Sequence, residues 1–348
     1  MIAATAGRRV IPAIAIANPL DHAAAIKHLF VAHGLPSFPD FFDRTYPAAV
    51  RSGAMSWLGR EQSGRVVMYQ ACFPRRFASA QREVVGGLMV NLMVATAYRA
   101  FFPALTLLKR VVQDLEARGG IDFLYADPNT AGRMLLEAVG FAPIGTLQRY
   151  VLPVSDRRVV LDGLIRLFHA WLRARNGAGA GAGMAAVAHP AQQFPLGSVP
   201  APRLTPPTVA VCHDAALYTS RLAGYPSPLD WWLTLHAPDV PADAPAAALL
   251  IRGPDASGKA TLKAWRRAPG VDPAAPLPSL IAQLRRRGCT RLQVSTIAGS
   301  AFGRALRRAG FIPRDDTVPI LARALTPAGE ACVAAVDAWE ITDLECDR

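Results

Sequence analysis

Residues Val84–Phe141 read VVGGLMVNLMVATAYRAFFPALTLLKRVVQDLEARGGIDFLYADPNTAGRMLLEAVGF. GLMVNLMV, at 87–94, is a short apolar run without helical spacing, preceded by glycine, and predicts a buried strand. Pro103 falls where a first helical turn begins, because its missing N–H is not needed there. Leu105, Leu108, Val111, Val112 and Leu115 then recur every three or four residues and form one apolar helix face. Arg118-Gly119-Gly120 closes that helix. IDFLYA predicts a second strand, Asp127-Pro128-Asn129 a turn, and TAGRMLLEAV a second helix stopped by Gly140.

Strand, arginine-bearing turn, helix, strand, D-P-N, helix and a terminal G-F together resemble the core of the GNAT acyl-CoA N-acyltransferase superfamily. In that family a turn of the form Q/R-x-x-G-x-G/A holds the coenzyme A pyrophosphate on backbone amides at a helix start. A helix N-terminus suits phosphate because its first N–H groups lack partners and its dipole end is positive. The matching positions here are Arg99, Phe102 and Ala104, so a bulky ring stands where the family has its first glycine. Asn129 matches the asparagine before the second helix, and Gly140-Phe141 the helix end. Leu136 occupies the position of the family's tyrosine acid.

The resemblance implies an acetyl-CoA or related acyl-CoA donor held by Val94, Arg99, Phe102, Ala104, Leu105 and Asn129. It implies direct acyl transfer to an amine, with no metal and no covalent intermediate. Such a transfer needs a base and donors for the thioester oxyanion; Glu83, beside the central strand, and Tyr98, on the turn, are the catalytic candidates. A plain reading stands beside each of these: Arg99 as an exposed turn arginine, Asn129 as a helix cap. The competing function is a catalytically silent binding or scaffold protein that kept the fold after losing the glycine and the tyrosine. The sequence leaves open whether the acceptor is a small amine, an amino sugar, a peptide N-terminus or an aminoacyl-tRNA, the one nucleic-acid partner retained.

The 348 residues fit two domains, and 51% hydrophobic against 18% charged residues allow a sizeable core. A net charge of +12 favours an anionic partner such as a CoA nucleotide. Cys72, Cys212, Cys289, Cys332 and Cys346 are scattered and odd in number, which argues against a disulfide framework or a zinc site and fits a reducing cytoplasm. Val10–Ala17 is too short for a signal peptide. Val84–Leu108 is apolar enough to suggest a membrane span, but Asn91, the glycine pair and Pro103 argue for strand plus helix.

In chain order, Arg8–Ala17 predicts a strand, Leu20–Ala32 a helix capped near Asp21, and Phe38–Arg51 a second helix. A hairpin follows, turning at Gln62-Ser63-Gly64, then a polar loop, PRRFASAQRE at 74–83, beside the site. This is the GNAT order, and it predicts a mixed α/β sheet in residues 1–160. Residues 161–207 hold a helix (Val159–Arg175) and a stretch rich in Gly, Ala and Pro that reads as a flexible linker. From 208 to 348 the chain repeats itself: RRGCTRLQVSTIAGSAFGRALRRAGFIP matches ARGGIDFLYADPNTAGRMLLEAVGFAP, with Leu306 opposite Leu136. The repeat has no pyrophosphate turn. The expected fold is therefore two GNAT-like domains in tandem, the second having lost its cofactor loop.

Rival motifs carry less. GPDASGK, at 253–259, has Walker A spacing but Ala260 where a magnesium-binding hydroxyl is needed, and reads equally as two strands around a turn. Cys212-His213-Asp214 cannot form a triad, since strand neighbours point to opposite faces. His22 and His28 are six residues apart and unsuited to one metal, and His169 between apolar neighbours is a packing residue. The arginines at 285–287 and 307–308 read as solvated helix faces. Asp343, Glu345 and Asp347 read as an acidic tail.

Overall fold

The computed structural model describes residues 12–79, 82–99, 101–154, 184–190, 209–212, 217–218, 227–237, 245–268 and 270–342. The helix expected at 159–175, most of the linker, His213, Asp214 and the acidic tail lie outside them. The first half runs β1 (Ala13–Ala17), α1 (Ala23–Ala32), α2 (Phe38–Arg51), β2 (Met55–Arg60), β3 (Val66–Ser79) and β4 (Glu83–Val94). It continues with α3 (Phe101–Arg118), β5 (Phe123–Ala126), α4 (Thr130–Ala138) and β6 (Ala142–Pro153). After β7 (Ala185–Pro190) and β8 (Val209–Val211), the second half runs β9 (Asp230–His236), β10 (Ala247–Arg252), β11 (Lys259–Arg267) and α5 (Leu277–Arg286). β12 (Arg291–Ile297), α6 (Ala301–Arg308), β13 (Ile312–Ala324), α7 (Pro327–Val333) and β14 (Trp339–Glu340) complete it.

The central prediction holds element for element. Gly86 and Gly87 sit inside β4 because both faces are full: a Cβ on Gly86 would lie 2.5 Å from the Phe123 ring, and one on Gly87 2.6 Å from Cys72 Sγ. The two helix ends repeat each other to the hydrogen bond. Phe141 N donates to Leu136 O and Gly140 N to Glu137 O; Phe311 N donates to Leu306 O and Gly310 N to Arg307 O. Both glycines have φ near +90°, the left-handed ending that glycine adopts without penalty. The helix starts repeat as well, with Asn129 accepting from Gly132 N and Ser300 from Gly303 N.

Three local expectations change. Asn18, not Asp21, caps the first helical segment, which opens as a 3-10 turn at Pro19–His22. PRRFASAQRE is not a loop beside the site: β3 continues through it to Ser79, because Arg75 and Phe77 face the interior while Arg76 faces solvent. Within the linker stretch, Ala185–Pro190 forms β7 on the open edge of β9, since an unpaired sheet edge accepts any extended backbone. GPDASGK is the turn joining antiparallel β10 and β11, with Asp255 Oδ1 accepting from Ser257 N and Lys259 N. No helix start is there to hold a phosphate.

The sheet itself was not foreseen. All fourteen strands among the described residues form one sheet, ordered β1-β2-β3-β4-β5-β13-β6-β12-β11-β10-β9-β7, with β8 and β14 off this path. The last strands of the two halves are exchanged. β13 lies between β5 and β6 of the first half, and β6 pairs with β12 of the second. Trp339 is fully buried against Phe77, Phe123 and Tyr125 of the first half. No helix among the described residues is long and apolar enough to cross a membrane.

Candidate functional site

β4 and β5 run parallel only where Gly86–Leu88 face Phe123–Tyr125. β5 then ends at Ala126, while β4 continues to Val94. A bulge on β4 accompanies the split: β3 and β4 slip register between Tyr69 and Ala71, and Asn91 takes φ +60°. Asparagine tolerates this conformation better than most side chains. Its Nδ2 donates to Tyr46 Oη at 2.8 Å, which ties the bulge to α2. Beyond Leu88 the β5-facing side of β4 has no neighbouring strand among the described residues, and an open cleft of about 1120 Å³ occupies the gap.

Most of the cleft wall comes from four places, with Phe30 of α1 and Gln70 of β3 beside them. β4 contributes Met89 to Val94; α3 and the turn before it contribute Arg99, Ala104 and Leu108. Asp127, Pro128, Asn129 and Leu136 come from the β5–α4 side, and Leu35, Ser37, Phe38, Phe41 and Arg44 from α2 and its approach. The structure thus brings together Val94, Arg99, Ala104 and Asn129. Arg99 Nε donates to Val94 O at 3.1 Å. Ala104 is buried in the first turn of α3, and Leu105 is half-buried against the core. Phe102 is 73% exposed, so its side chain does not plug the helix start. Asn129 Oδ1 is engaged by Gly132 N at 2.8 Å. Leu136 is buried.

The two catalytic candidates lie elsewhere. Glu83 starts β4, roughly 35 Å along the strand from Val94, and is ion-paired with Arg76 at the surface. Tyr98 is half-buried, and its hydroxyl donates to Glu61 Oε2 at 3.0 Å. Neither lines the cleft. Arg65, then Ser63, then Tyr98 hydrogen-bond the Glu61 carboxylate and hold its pKa down at about 2. A depressed carboxylate pKa stabilises the fold above the ordinary value of 4.5, and this is lost as pH falls from there toward 2. The stability difference between the protein and its Glu61→Gln variant is therefore expected to shrink from pH 7 to pH 3 in urea denaturation. A constant difference would show that the charge plays no part in holding the turn.

Asp127, Asn91, Arg44 and the Phe38–Phe41 wall were not read as site residues from sequence. Asp127 is the one carboxylate among the described residues lining the cleft, yet in sequence it has the look of turn chemistry alone. No group of three His, Cys, Asp or Glu side chains among the described residues could hold a metal. Cys72, Cys289 and Cys332 form no disulfide, and burial pushes the Cys72 thiol up to about 12.

The equivalent place in the second half is filled. β11 and β12 pair in parallel over Lys259–Leu262 and then part, with a bulge at Lys263 matching that on β4. The chain's own C-terminal segment enters this gap: Thr342 Oγ1 donates to Lys263 O at 2.8 Å, and Arg267 Nη2 meets Glu340 Oε1 at 3.0 Å. Trp265 stacks on Phe302 at 4.3 Å. About 30 Å³ remains, room for one or two waters.

No protein-family model matches the chain, and no curated protein matches it in sequence. Solved structures do match it in shape. A GCN5-related N-acetyltransferase from Kribbella flavida aligns with a TM-score of 0.61 at 10% identity, covering 91% of this chain and 73% of that one. One from Anabaena variabilis gives 0.57 at 12%, over 91% and 74%. A tandem GNAT protein from the clavulanic acid biosynthesis pathway gives 0.50 at 12%, over 90% and 99%. The chain has the fold of the GCN5-related N-acetyltransferases, and it carries that fold twice in tandem.

Proposed function

We propose that the protein is an acyl-CoA-dependent N-acyltransferase whose working site is the first-half cleft. The observation that carries this reading is the split of β4 from β5 at a bulge, leading directly to a helix start that the exposed Phe102 leaves clear. The open side of β4 suits an extended, amide-bearing arm, which can pair with it as a strand would. The first turn of α3 contains no acidic residue, and Arg99 lies beside it, so a diphosphate meets positive charge at the end of that arm.

The acyl thioester would then lie near Asn91 and Asp127. Asp127 takes the proton from the acceptor ammonium, freeing the nitrogen lone pair. That nitrogen attacks the thioester carbon, the C–S bond breaks, CoA leaves as its thiolate, and the second nitrogen proton, which the new amide cannot keep, passes to solvent. Leu136 supplies no proton to the departing sulfur. A thiol pKa near 8.5 makes the thiolate an adequate leaving group without one.

Asp127→Asn is expected to lower kcat by about 100-fold or more, the usual scale for general-base removal, with acetyl-CoA binding unchanged. Release of the CoA thiol, followed with acetyl-CoA and an amine, gives the measurement. An unaltered rate would remove Asp127 from the mechanism. Leu136 favours the second reading, a protein that binds the donor without turning it over. That reading requires donor binding with no thiol release from any amine.

A further inference from the structure

The α2 side of the cleft carries a positive charge of its own, apart from Arg99. On α2 and its approach, Leu35, Phe38 and Phe41 form an apolar wall. Phe38 stacks on Phe30 with centroids 3.6 Å apart, and Phe41 meets Tyr46 edge-on. Arg44, one turn beyond Phe41, lines the same wall. Its Nε donates to Asp40 O within the helix at 3.0 Å. The neighbouring Asp43 is committed to Lys27, and no carboxylate among the described residues pairs with Arg44. A guanidinium with two free Nη groups beside an aromatic surface matches a planar carboxylate attached to an apolar body.

Resting on the acyltransferase reading, we propose that the acceptor is a small amine with an aromatic or branched aliphatic body and a carboxylate, the carboxylate bound by Arg44. Asp127 lines the same cleft from the β5–α4 side and would receive the amine end. The two charges thus orient a zwitterion with its nitrogen toward the β4–β5 split.

Calorimetry on the full chain, with and without acetyl-CoA, tests this using phenylalanine, phenethylamine and glycine. Phenylalanine is expected to bind more tightly than phenethylamine, which lacks the carboxylate, and than glycine, which lacks the body. Arg44→Ala is expected to weaken phenylalanine about 10- to 100-fold, the range for a lost charge-assisted bond, and to leave phenethylamine unchanged. Arg44→Lys should recover only part of the loss. Phenethylamine binding as well as phenylalanine would overturn the proposal, as would an Arg44→Ala variant that loses both equally or neither. Acetyl-CoA binding with no Arg44-dependent amine leaves the donor reading standing and this one refuted. Arg44-dependent phenylalanine binding without any acetyl-CoA binding would refute the donor reading and leave Arg44 a carboxylate site but not an acceptor site.

Discussion

Acetyl-CoA titrated into the protein is expected to saturate at one molecule per chain, although the fold is present twice. Both halves keep the bulge and the parting of parallel strands that open a cleft. Among the described residues, only the second fills it with chain. In the second, Thr342 holds the bulge carbonyl of Lys263, Glu340 neutralises Arg267, and Trp265 and Phe302 fill the space between. A ligand there would have to displace a segment anchored by Trp339, which is fully buried in the first-half core. Releasing a buried tryptophan costs about 3 kcal/mol or more, so the segment stays. At a free concentration 100 times its Kd, a single bound donor adds about 2.7 kcal/mol of stability. For a chain of this size that raises Tm by roughly 4 °C. Calorimetric stoichiometry and a melting scan measure both quantities. Two molecules per chain would show that the C-terminal segment yields to ligand. No shift at millimolar acetyl-CoA would end the donor reading and leave a silent scaffold that does not bind the donor.

Gly329→Ala is expected to destabilise the protein by about 3 kcal/mol, near the upper end of what overpacking does. Gly329 opens α7 against β5, across the join between the halves. An added Cβ would fall 1.9 Å from Asp122 O and 2.6 Å from its carbonyl carbon. These are backbone atoms and cannot swing aside. The same carbonyl accepts from Leu325 N at 2.8 Å and Thr326 N at 3.1 Å. The Asp122 carboxylate accepts from Val85 N and Thr326 Oγ1, each at 2.8 Å. Moving Asp122 therefore disturbs β4, β5 and the exchanged β13 together, and donor binding should weaken with stability. Gly132→Ala is the control, since its nearest neighbours are side-chain atoms at 3.3 Å and alanine favours a helix. Urea denaturation of both variants gives the comparison. A loss below about 1 kcal/mol for Gly329→Ala would mean that α7 does not dock on β5.

The candidate site was half legible from sequence. Arg99, Ala104 and Asn129 could be placed because a strand–turn–helix pattern fixes them within a few residues of one another. Glu83 was drawn to the site by its closeness in sequence to the central strand. Yet a strand carries its two ends tens of ångströms apart, and the cleft opens at the other end. Asp127, Asn91 and Arg44 converge from β5, β4 and α2, and no spacing in the chain links them.

The order of strands and helices in each half was written in local chemistry: apolar periodicity, Asn and Ser caps, and the paired glycine endings at 140 and 310. Those signals act over a few residues and survive wherever the segment is finally packed. Partner choice in a sheet is different, because any extended apolar strand offers the same ladder of N–H and C=O groups to any other. Local pattern therefore could not tell β6 and β13 to change places, nor reserve the second cleft for the chain's own end. Both depend on long-range packing, such as that of Trp339 against Phe77, Phe123 and Tyr125.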